Sequence, residues 1–216
     1  DQVLRNGAVP AAAFIAPTFK LSTGESLRAT DEYGNVTTEF EIDPNGANVG
    51  KAQEYLAAAG YPNGEGFPEL DLLYYESGSM SQIAEAVQQM WKENLGITVN
   101  LKVEEYAVFA NTINSGNYTL SMTGWSADYN DPMTMLSLFT ANGMNDARWR
   151  YKEYAGVPED TTLNPENEAY DNAVIMASKT TGEERDGYLM QAEKVLMDEM
   201  VICPIYYATY TQVIDY

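Results

Sequence analysis

Histidine is absent from the 216-residue sequence, and cysteine occurs only once. The absence of histidine excludes His-based catalytic triads, the commonest acid–base group at neutral pH and most transition-metal sites. Cys203 cannot form an internal disulfide bond, and because it lies in the apolar run of residues 200–207 we expect a small core residue rather than a nucleophile. The sequence therefore predicts no metal and no cofactor, and any catalysis would depend on carboxylates or tyrosines.

Basic residues are scarce: 12 Lys plus Arg stand against 32 Asp plus Glu, which gives a net charge of −20. This balance opposes sequence-independent binding to nucleic-acid phosphates or to anionic lipids, and we expect no nucleic-acid partner. Cationic partners are compatible with it, although so much negative charge is also an ordinary way to keep a surface solvated. No stretch approaches the roughly 20 apolar residues of a membrane span.

Apolar residues are plentiful, at 45% of the sequence with 12% aromatic residues, so a packed core is expected. Residues 70–75, 97–103 and 118–123 have the short apolar or alternating patterns of β-strands, and the segments between them have helical spacing. Three strands separated by two helices predict a parallel sheet with right-handed crossovers. We therefore expect residues 1–216 to form a single α/β domain, with a largely parallel sheet flanked by helices.

The first of the two intervening helices is predicted from a capping box at Ser79 and Gln82 and an end at Gly96. Its predicted apolar stripe is Ile83, Val87, Met90 and Trp91. The remaining predicted elements are a connecting segment at 1–48 with a short helix at 10–16, helices at 49–59, 106–113, 132–139, 166–178 and 183–199, a long loop at 140–165, a strand at 201–207 and a second β-prone run at 209–216. The last helix is preceded by a second capping box, Thr181 to Glu184.

The segment 118–136 joins the third strand to a helix through the turn Gly124-Trp-Ser-Ala-Asp-Tyr-Asn-Asp-Pro. Because ligands of α/β sheets bind at the carboxyl ends of strands, this turn lies where a site is expected. Trp125 beside Asp128 suits a ligand with a flat or apolar part and a cationic group.

Asp128 and Asp131 also form a carboxylate pair, which is the minimum equipment of a hydrolase without histidine. However, Asp131 directly before Pro132 is better explained as the N-cap of the next helix. A calcium loop is not supported, because Asp128-x-Asn130-x-Pro132 departs from the pattern at its fifth and sixth positions. A catalytic pair and a binding turn both remain open on these residues alone.

With these segments identified, the sequence resembles the solute-binding proteins of bacterial ABC importers, in particular the oligopeptide- and dipeptide-binding family 5. The resemblance covers nearly the whole chain and rests on segments that occur in the family's order. These are the run of residues 9–17, the helix 51–61, Gln89-Met-Trp-Lys-Glu-Asn-Leu-Gly-Ile, the turn 124–132, Glu183-Glu-Arg and Pro204-Ile-Tyr-Tyr.

The resemblance implies a periplasmic-binding-protein-like (type II) fold, of which residues 1–216 are the C-terminal lobe and the N-terminal lobe is absent. It implies that Asp128 receives the α-ammonium of a peptide and that Gly124 and Trp125 border the cleft. Met80 stands where some members carry a basic residue for the peptide's C-terminus. The ligand-binding residues predicted in this way are Gly124, Trp125, Ser126, Asp128, Tyr106 and Met80.

We therefore expect the oligopeptide-binding component of an ABC importer rather than an enzyme. The expected partners are a small peptide and the importer's permease subunits, and we expect a monomer that is periplasmic or extracellular. Attachment to the membrane would depend on the transporter or on a lipid anchor outside this chain. The alternatives are a receptor of the same family for an oligosaccharide, a nickel chelate or haem, and a secreted carboxylate-dependent hydrolase.

Overall fold

A computed structural model of the chain describes residues 3–4, 7–30, 36–37, 40, 42–44, 46–140, 143, 149 and 165–208. The chain divides into two compact units, the first composed of residues 1–10, 43–124 and 208–216, and the second of residues 11–42 and 125–207. The elements in chain order are β1 Val9–Pro10, β2 Ala29–Thr30, β3 Val36–Thr37, α1 Val49–Ala58, a 3₁₀ turn Pro62–Gly64, β4 Leu70–Tyr75, α2 Gly78–Leu95, β5 Val99–Glu104, α3 Tyr106–Ser115, β6 Leu120–Met122, α4 Met133–Leu136, a 3₁₀ turn Ser137–Phe139, α5 Pro165–Lys179, α6 Gly182–Asp198 and β7 Tyr206–Tyr207.

The first unit contains the predicted parallel sheet, in the strand order β5-β4-β6. Leu72 and Leu73 of the central strand are both buried, at 4% and 5% exposure. Two buried neighbours point to opposite faces of the sheet, so β4 is covered on both sides, as expected for a central parallel strand. Helix α2 packs against β4 and β5, and α3 packs against β4. The α/β class and the parallel pairing are therefore confirmed.

Helix α2 departs from the prediction at its first turn. It begins at Gly78 with Ser77 as N-cap, and no side chain caps it, so the predicted capping box at Ser79 is wrong. Ser79 is already inside the helix, and its hydroxyl lies 3.3 Å from that of Ser77. Met90 is also wrongly assigned to the apolar stripe, because it is 48% exposed whereas Ile83 is buried.

Gly96 ends α2 as predicted, with a left-handed φ of 72°. A Cβ atom built at this position would lie 2.3 Å from the carbonyl oxygen of Asn63, so only glycine allows the two backbones to approach. Gly60, after α1, has a φ of 95° but open space around its Cβ position.

In the second unit, residues 11–30 form part of the core. The predicted helix at 10–16 is wrong: this segment is irregular, and Ala13 and Ile15 are buried at 0% and 1% exposure. Their backbone N–H groups donate to the Tyr207 hydroxyl and to Oε1 of Glu193. These tertiary partners replace the carbonyls that a helix would have supplied.

Helices α5 and α6 pack against each other, and their predicted positions are confirmed to within a residue or two. Leu189, Ala192 and Leu196 form the buried face of α6 as predicted. The second capping box is wrong, because Thr181 is the N-cap of α6 but its side chain caps nothing. Most of the predicted loop at 140–165, and the whole β-prone run at 209–216, lie outside the described residues.

Two further predictions near the end of the chain are wrong. Only Tyr206–Tyr207 of the predicted strand 201–207 is a strand. Cys203 is exposed and is not a core residue. Its run of apolar neighbours is broken by Pro204, and the backbone there follows no regular pattern. Within the described residues, no helix has the length and apolarity needed to cross a membrane.

Glu193, on the inner side of α6, is 1% exposed and forms an ion pair with the buried Arg28. Its other oxygen accepts the Ile15 N–H at 2.8 Å, and the Arg28 Nε donates to the Ile15 carbonyl at 3.2 Å. A buried charge must be paired and hydrogen-bonded to be tolerated. This group therefore fixes the irregular segment onto α6.

We predict that Glu193→Gln lowers the free energy of unfolding by about 3–5 kcal/mol, because it leaves the Arg28 charge buried without its partner. Urea unfolding of the full-length protein measures this. The exposed Glu184 on the same helix provides the control, since Glu184→Gln should change stability by less than about 1 kcal/mol. Equal effects of the two variants would contradict the assigned role of Glu193.

We also predict that Gly96→Ala is more destabilising than Gly60→Ala. Both substitutions incur roughly 1–2 kcal/mol for a left-handed alanine, but only the first adds a collision with a main-chain carbonyl. Thermal unfolding of the two variants compares these costs directly. Equal shifts in melting temperature would show that the close approach to Asn63 contributes nothing.

Candidate functional site

The turn between β6 and α4 presents two aromatic side chains to solvent. Trp125 is 43% exposed and Tyr129 is 53% exposed. Both belong to the second unit. The turn leads into α4 and the 3₁₀ turn that follows it, so the predicted helix at 132–139 is confirmed apart from its tighter last turn.

The N-cap of α4 is Pro132, one residue after the predicted position, but the Asp131 side chain still accepts from the first turn of the helix. Its Oδ1 accepts the Met133 N–H at 2.9 Å, and its main-chain carbonyl accepts the Thr134 N–H at 3.1 Å. The Arg185 guanidinium of α6 lies 2.7 and 2.8 Å from the two carboxylate oxygens. The carboxylate is therefore neutralised and held, which leaves it poorly suited to proton transfer.

Asp128 has a different environment. Its side chain is exposed, and no described residue forms a salt bridge with it. Thr134 holds it instead: the threonine Oγ1 accepts the Asp128 N–H at 3.0 Å and lies 3.4 Å from Oδ2 of the carboxylate. Asp128 thus presents at the turn a negative charge that no described residue pairs.

A cavity of about 240 Å³ opens beside these groups within the second unit. Its walls combine the two exposed aromatic rings and one carboxylate with small polar side chains and one leucine. The lining residues are Trp125, Asp128, Tyr129, Thr134, Ser137, Leu138, Thr140 and Gly143. A concave surface that combines aromatic rings with a carboxylate and several hydroxyl groups suits a ligand that has both apolar and polar parts.

The Tyr129 hydroxyl stays protonated at neutral pH. Partial burial raises its pKa above the ordinary value of 10, and the carboxylates of Asp131 and Asp128 raise it further, while the Arg185 charge opposes them. The group is therefore available as a neutral hydrogen-bond donor beside Asp128.

The other predicted site residues lie in different surroundings. Ser126 is exposed in the same turn, whereas Gly124, Met80 and Tyr106 belong to the first unit. Met80 is buried at 6% exposure. Tyr106 is 64% exposed, and its ring makes an edge contact with Tyr75 at 5.3 Å between centroids. Of the predicted set, the cavity gathers Trp125 and Asp128.

Sequence reasoning did not find Thr134, Ser137, Leu138, Thr140 and Gly143. They sit on or after α4, whose inner face turns back towards Asp128. Thr134 could have been found from its spacing, because a hydroxyl two residues after the proline that opens a helix can reach the preceding turn.

A second cavity, of about 310 Å³, lies in the first unit between α2 and β5. Its polar side chains are largely satisfied by protein groups: the Gln88 amide donates to the Val99 carbonyl at 2.6 Å, and the Lys92 ammonium donates to the Thr98 hydroxyl at 3.2 Å. It contains none of the predicted site residues. Among the described residues, no cluster of carboxylates or cysteine with the makings of a metal site is present.

Comparison with known proteins gives a consistent result. The family described as bacterial extracellular solute-binding proteins, family 5 Middle, matches residues 1–146. The oligopeptide-binding protein OppA of Bacillus subtilis is 33% identical over 205 residues, covering 90% of this chain and 35% of that protein.

Two solved structures show the same fold. The murein tripeptide binding protein MppA of Escherichia coli has a TM-score of 0.72 at 29% identity, covering 95% of this chain and 35% of that one. OppA of Haemophilus influenzae in complex with the peptide RPPGFSPFR has a TM-score of 0.69 at 25% identity, covering 95% of this chain and 36% of that one. The chain spans about a third of the length of these relatives.

The periplasmic-binding-protein-like α/β fold expected from the sequence is therefore confirmed. Since the family match extends over more than half of the chain, this chain belongs to the bacterial extracellular solute-binding proteins of family 5.

Proposed function

We propose that this chain is the C-terminal lobe of the substrate-binding component of an ABC importer, and that it binds oligopeptides with Asp128 receiving the α-ammonium group. In this proposal, residues 1–216 supply one wall of a cleft whose other wall is a second lobe. The relatives are named as oligopeptide-binding and murein tripeptide binding proteins, which supports peptide binding by this chain.

The observation that carries the proposal is the Asp128 carboxylate, which no described residue pairs, at the edge of a cavity with aromatic walls. A carboxylate about 4 Å from an ammonium gains roughly 4 kcal/mol at an effective dielectric constant near 20, before the cost of desolvation is subtracted. Leaving an ammonium buried without a partner costs about 3–5 kcal/mol. Even a fraction of these energies is enough to make the site selective for peptides with a free amino terminus.

The environment of Asp131 argues against the hydrolase alternative. A glycosidase of this type needs two carboxylates that face the substrate, one to donate a proton and one to act as base or nucleophile. Asp131 is instead occupied by the Met133 N–H and the Arg185 guanidinium. We therefore propose a binding protein and not an enzyme.

The remaining parts of the proposal follow from the family. The receptor acts outside the cytoplasm, passes its peptide to the permease subunits of the importer, and works as a monomer. Any attachment to the membrane is through the transporter or through a lipid anchor elsewhere in the protein.

An oligosaccharide receptor is the second candidate, because the exposed indole of Trp125 is a suitable stacking surface for a sugar ring. The two candidates differ in one respect that can be measured. A sugar site is indifferent to acetylation of peptide amines, whereas the proposed peptide site is not.

We predict that Asp128→Asn lowers affinity for free-amine peptides at least about tenfold, a loss of roughly 1.4 kcal/mol or more. The probe is a lysine-free library of tri- to pentapeptides offered to the full-length receptor, with retained peptides quantified by mass spectrometry. The same library after N-acetylation should be retained poorly and equally by both proteins.

The matched control is Asp71→Asn, which removes an exposed carboxylate that lies 3.8 Å from Lys102 in the first unit. It should leave retention unchanged. Undiminished retention of the free-amine library by Asp128→Asn would overturn the assignment, and retention of oligosaccharides instead of peptides would favour the second candidate.

We also predict a loss of affinity as the pH rises from about 8 to about 10, because the ordinary pKa of a peptide α-amino group is about 7.7–8.0 and only its protonated form pairs with Asp128. The pKa of Tyr129 is raised above its ordinary value of 10 by partial burial and by the nearby carboxylates, so the phenol ionises at higher pH than the peptide amine. Calorimetric titrations across this range measure the effect. A flat profile for the native receptor would contradict an ammonium ligand.

A further inference from the structure

Thr134 is the second residue of α4, and at 2% exposure it is a buried polar residue. A buried hydroxyl needs a hydrogen-bond partner to offset its desolvation. Both partners that the structure gives to this hydroxyl belong to Asp128, six residues earlier in the chain. The side chain therefore links the helix to the residue that carries the proposed ligand contact.

The two contacts have a definite direction. The Asp128 N–H donates to the threonine Oγ1 at 3.0 Å, an ordinary hydrogen-bond length. Because that N–H points to the oxygen, the hydroxyl proton must point elsewhere, and Oδ2 of Asp128 lies 3.4 Å away on the carboxylate side. This second contact is longer than a usual hydroxyl–carboxylate bond, and we expect it to shorten when a bound cation fixes the carboxylate.

Thr134 is itself held rigidly. Its own N–H donates to the Asp131 carbonyl at 3.1 Å, and Asp131 is anchored by Arg185. Threonine has two favoured χ1 rotamers in a helix, and the contacts with Asp128 select one of them. The hydroxyl is thus a fixed point, whereas Asp128 lies on an exposed turn.

We propose that Thr134 is a positioning residue that orients the Asp128 carboxylate towards the ligand amine. This inference rests on the proposed function, since it concerns the same carboxylate. Thr134 holds the main chain and Oδ2 of Asp128, which leaves Oδ1 for the ligand. The ligand then does not have to bear the entropy cost of ordering that side chain.

The test compares Thr134→Val with Thr134→Ser in the full-length receptor. Valine keeps the shape and removes the hydroxyl, whereas serine keeps the hydroxyl. The readout is the ratio of affinities for the free-amine and N-acetylated peptide libraries. Thr134→Val should lower this ratio about threefold to tenfold, as expected for one net hydrogen bond, and Thr134→Ser should stay within about twofold of the native ratio.

The ratio separates positioning from stability. A variant that only damages packing weakens both libraries together and leaves the ratio unchanged. Thr134→Ala removes the hydroxyl without adding a methyl group, and it should give the same lowered ratio if the valine variant folds poorly. Thr112→Val is the matched control, because the Thr112 hydroxyl donates to the Glu104 carboxylate at 2.9 Å in the first unit. Its ratio should be native.

A double variant distinguishes this inference from the proposed function. If Thr134 acts through Asp128, the effect of Thr134→Val on the ratio should disappear in the Asp128→Asn background. A native ratio in Asp128→Asn would overturn the proposed function itself. A lowered ratio in Asp128→Asn together with native ratios in Thr134→Val and Thr134→Ala would overturn the positioning role alone, as would a Thr134→Val effect that persists without Asp128.

Discussion

Glu193 places a carboxylate in the interior of the second unit, where its two oxygens are shared between the Arg28 guanidinium and the Ile15 N–H. This pairing allows an irregular segment, whose backbone groups cannot pair within a helix or a sheet, to serve as part of a core. It also fixes α6. Arg185 lies on the same helix eight residues before Glu193, which places it about 12 Å closer to the N-terminus at 1.5 Å per residue. Arg185 then holds Asp131 and, with it, the start of α4. The orientation of the candidate turn thus depends on a charge buried far from it in sequence.

The regular elements could be predicted because their signals are periodic and local. The strand at residues 70–75 was predicted with the boundaries that it has, and α5 and α6 were placed to within a residue or two. Predictions failed where tertiary partners override local preference. Residues 11–16 contain good helix formers, yet their N–H groups find better partners in Glu193 and Tyr207. Both capping boxes failed locally: Ser79 lies inside α2, and Thr181 stands at the N-cap of α6 but its side chain forms no cap hydrogen bond.

Of the residues that line the candidate site, Trp125 and Asp128 could be predicted. The turn was predicted from its aromatic and acidic residues. The different roles of Asp128 and Asp131 were predicted from Pro132, which directly follows Asp131. The part of the cavity lining that follows α4 could not be predicted. In the sequence, Ser137, Leu138 and Thr140 resemble an ordinary helix end, and only the folded chain brings them to the cavity. Thr134 was missed because a threonine in the first turn of a helix has many ordinary explanations. Glu193 and Asp186 were missed as buried groups, since a charged residue beside an apolar stripe normally faces solvent.

A crystal structure of the full-length receptor with a bound peptide tests the central claim most directly. The proposal predicts that the peptide's α-ammonium nitrogen lies about 2.7–2.9 Å from an Asp128 carboxylate oxygen, the usual length of a charge-assisted hydrogen bond. It also predicts that the Thr134 hydroxyl lies within hydrogen-bond distance of the other oxygen of the same carboxylate. A peptide bound with its amino terminus away from Asp128, or with the carboxylate turned to solvent, would contradict the account.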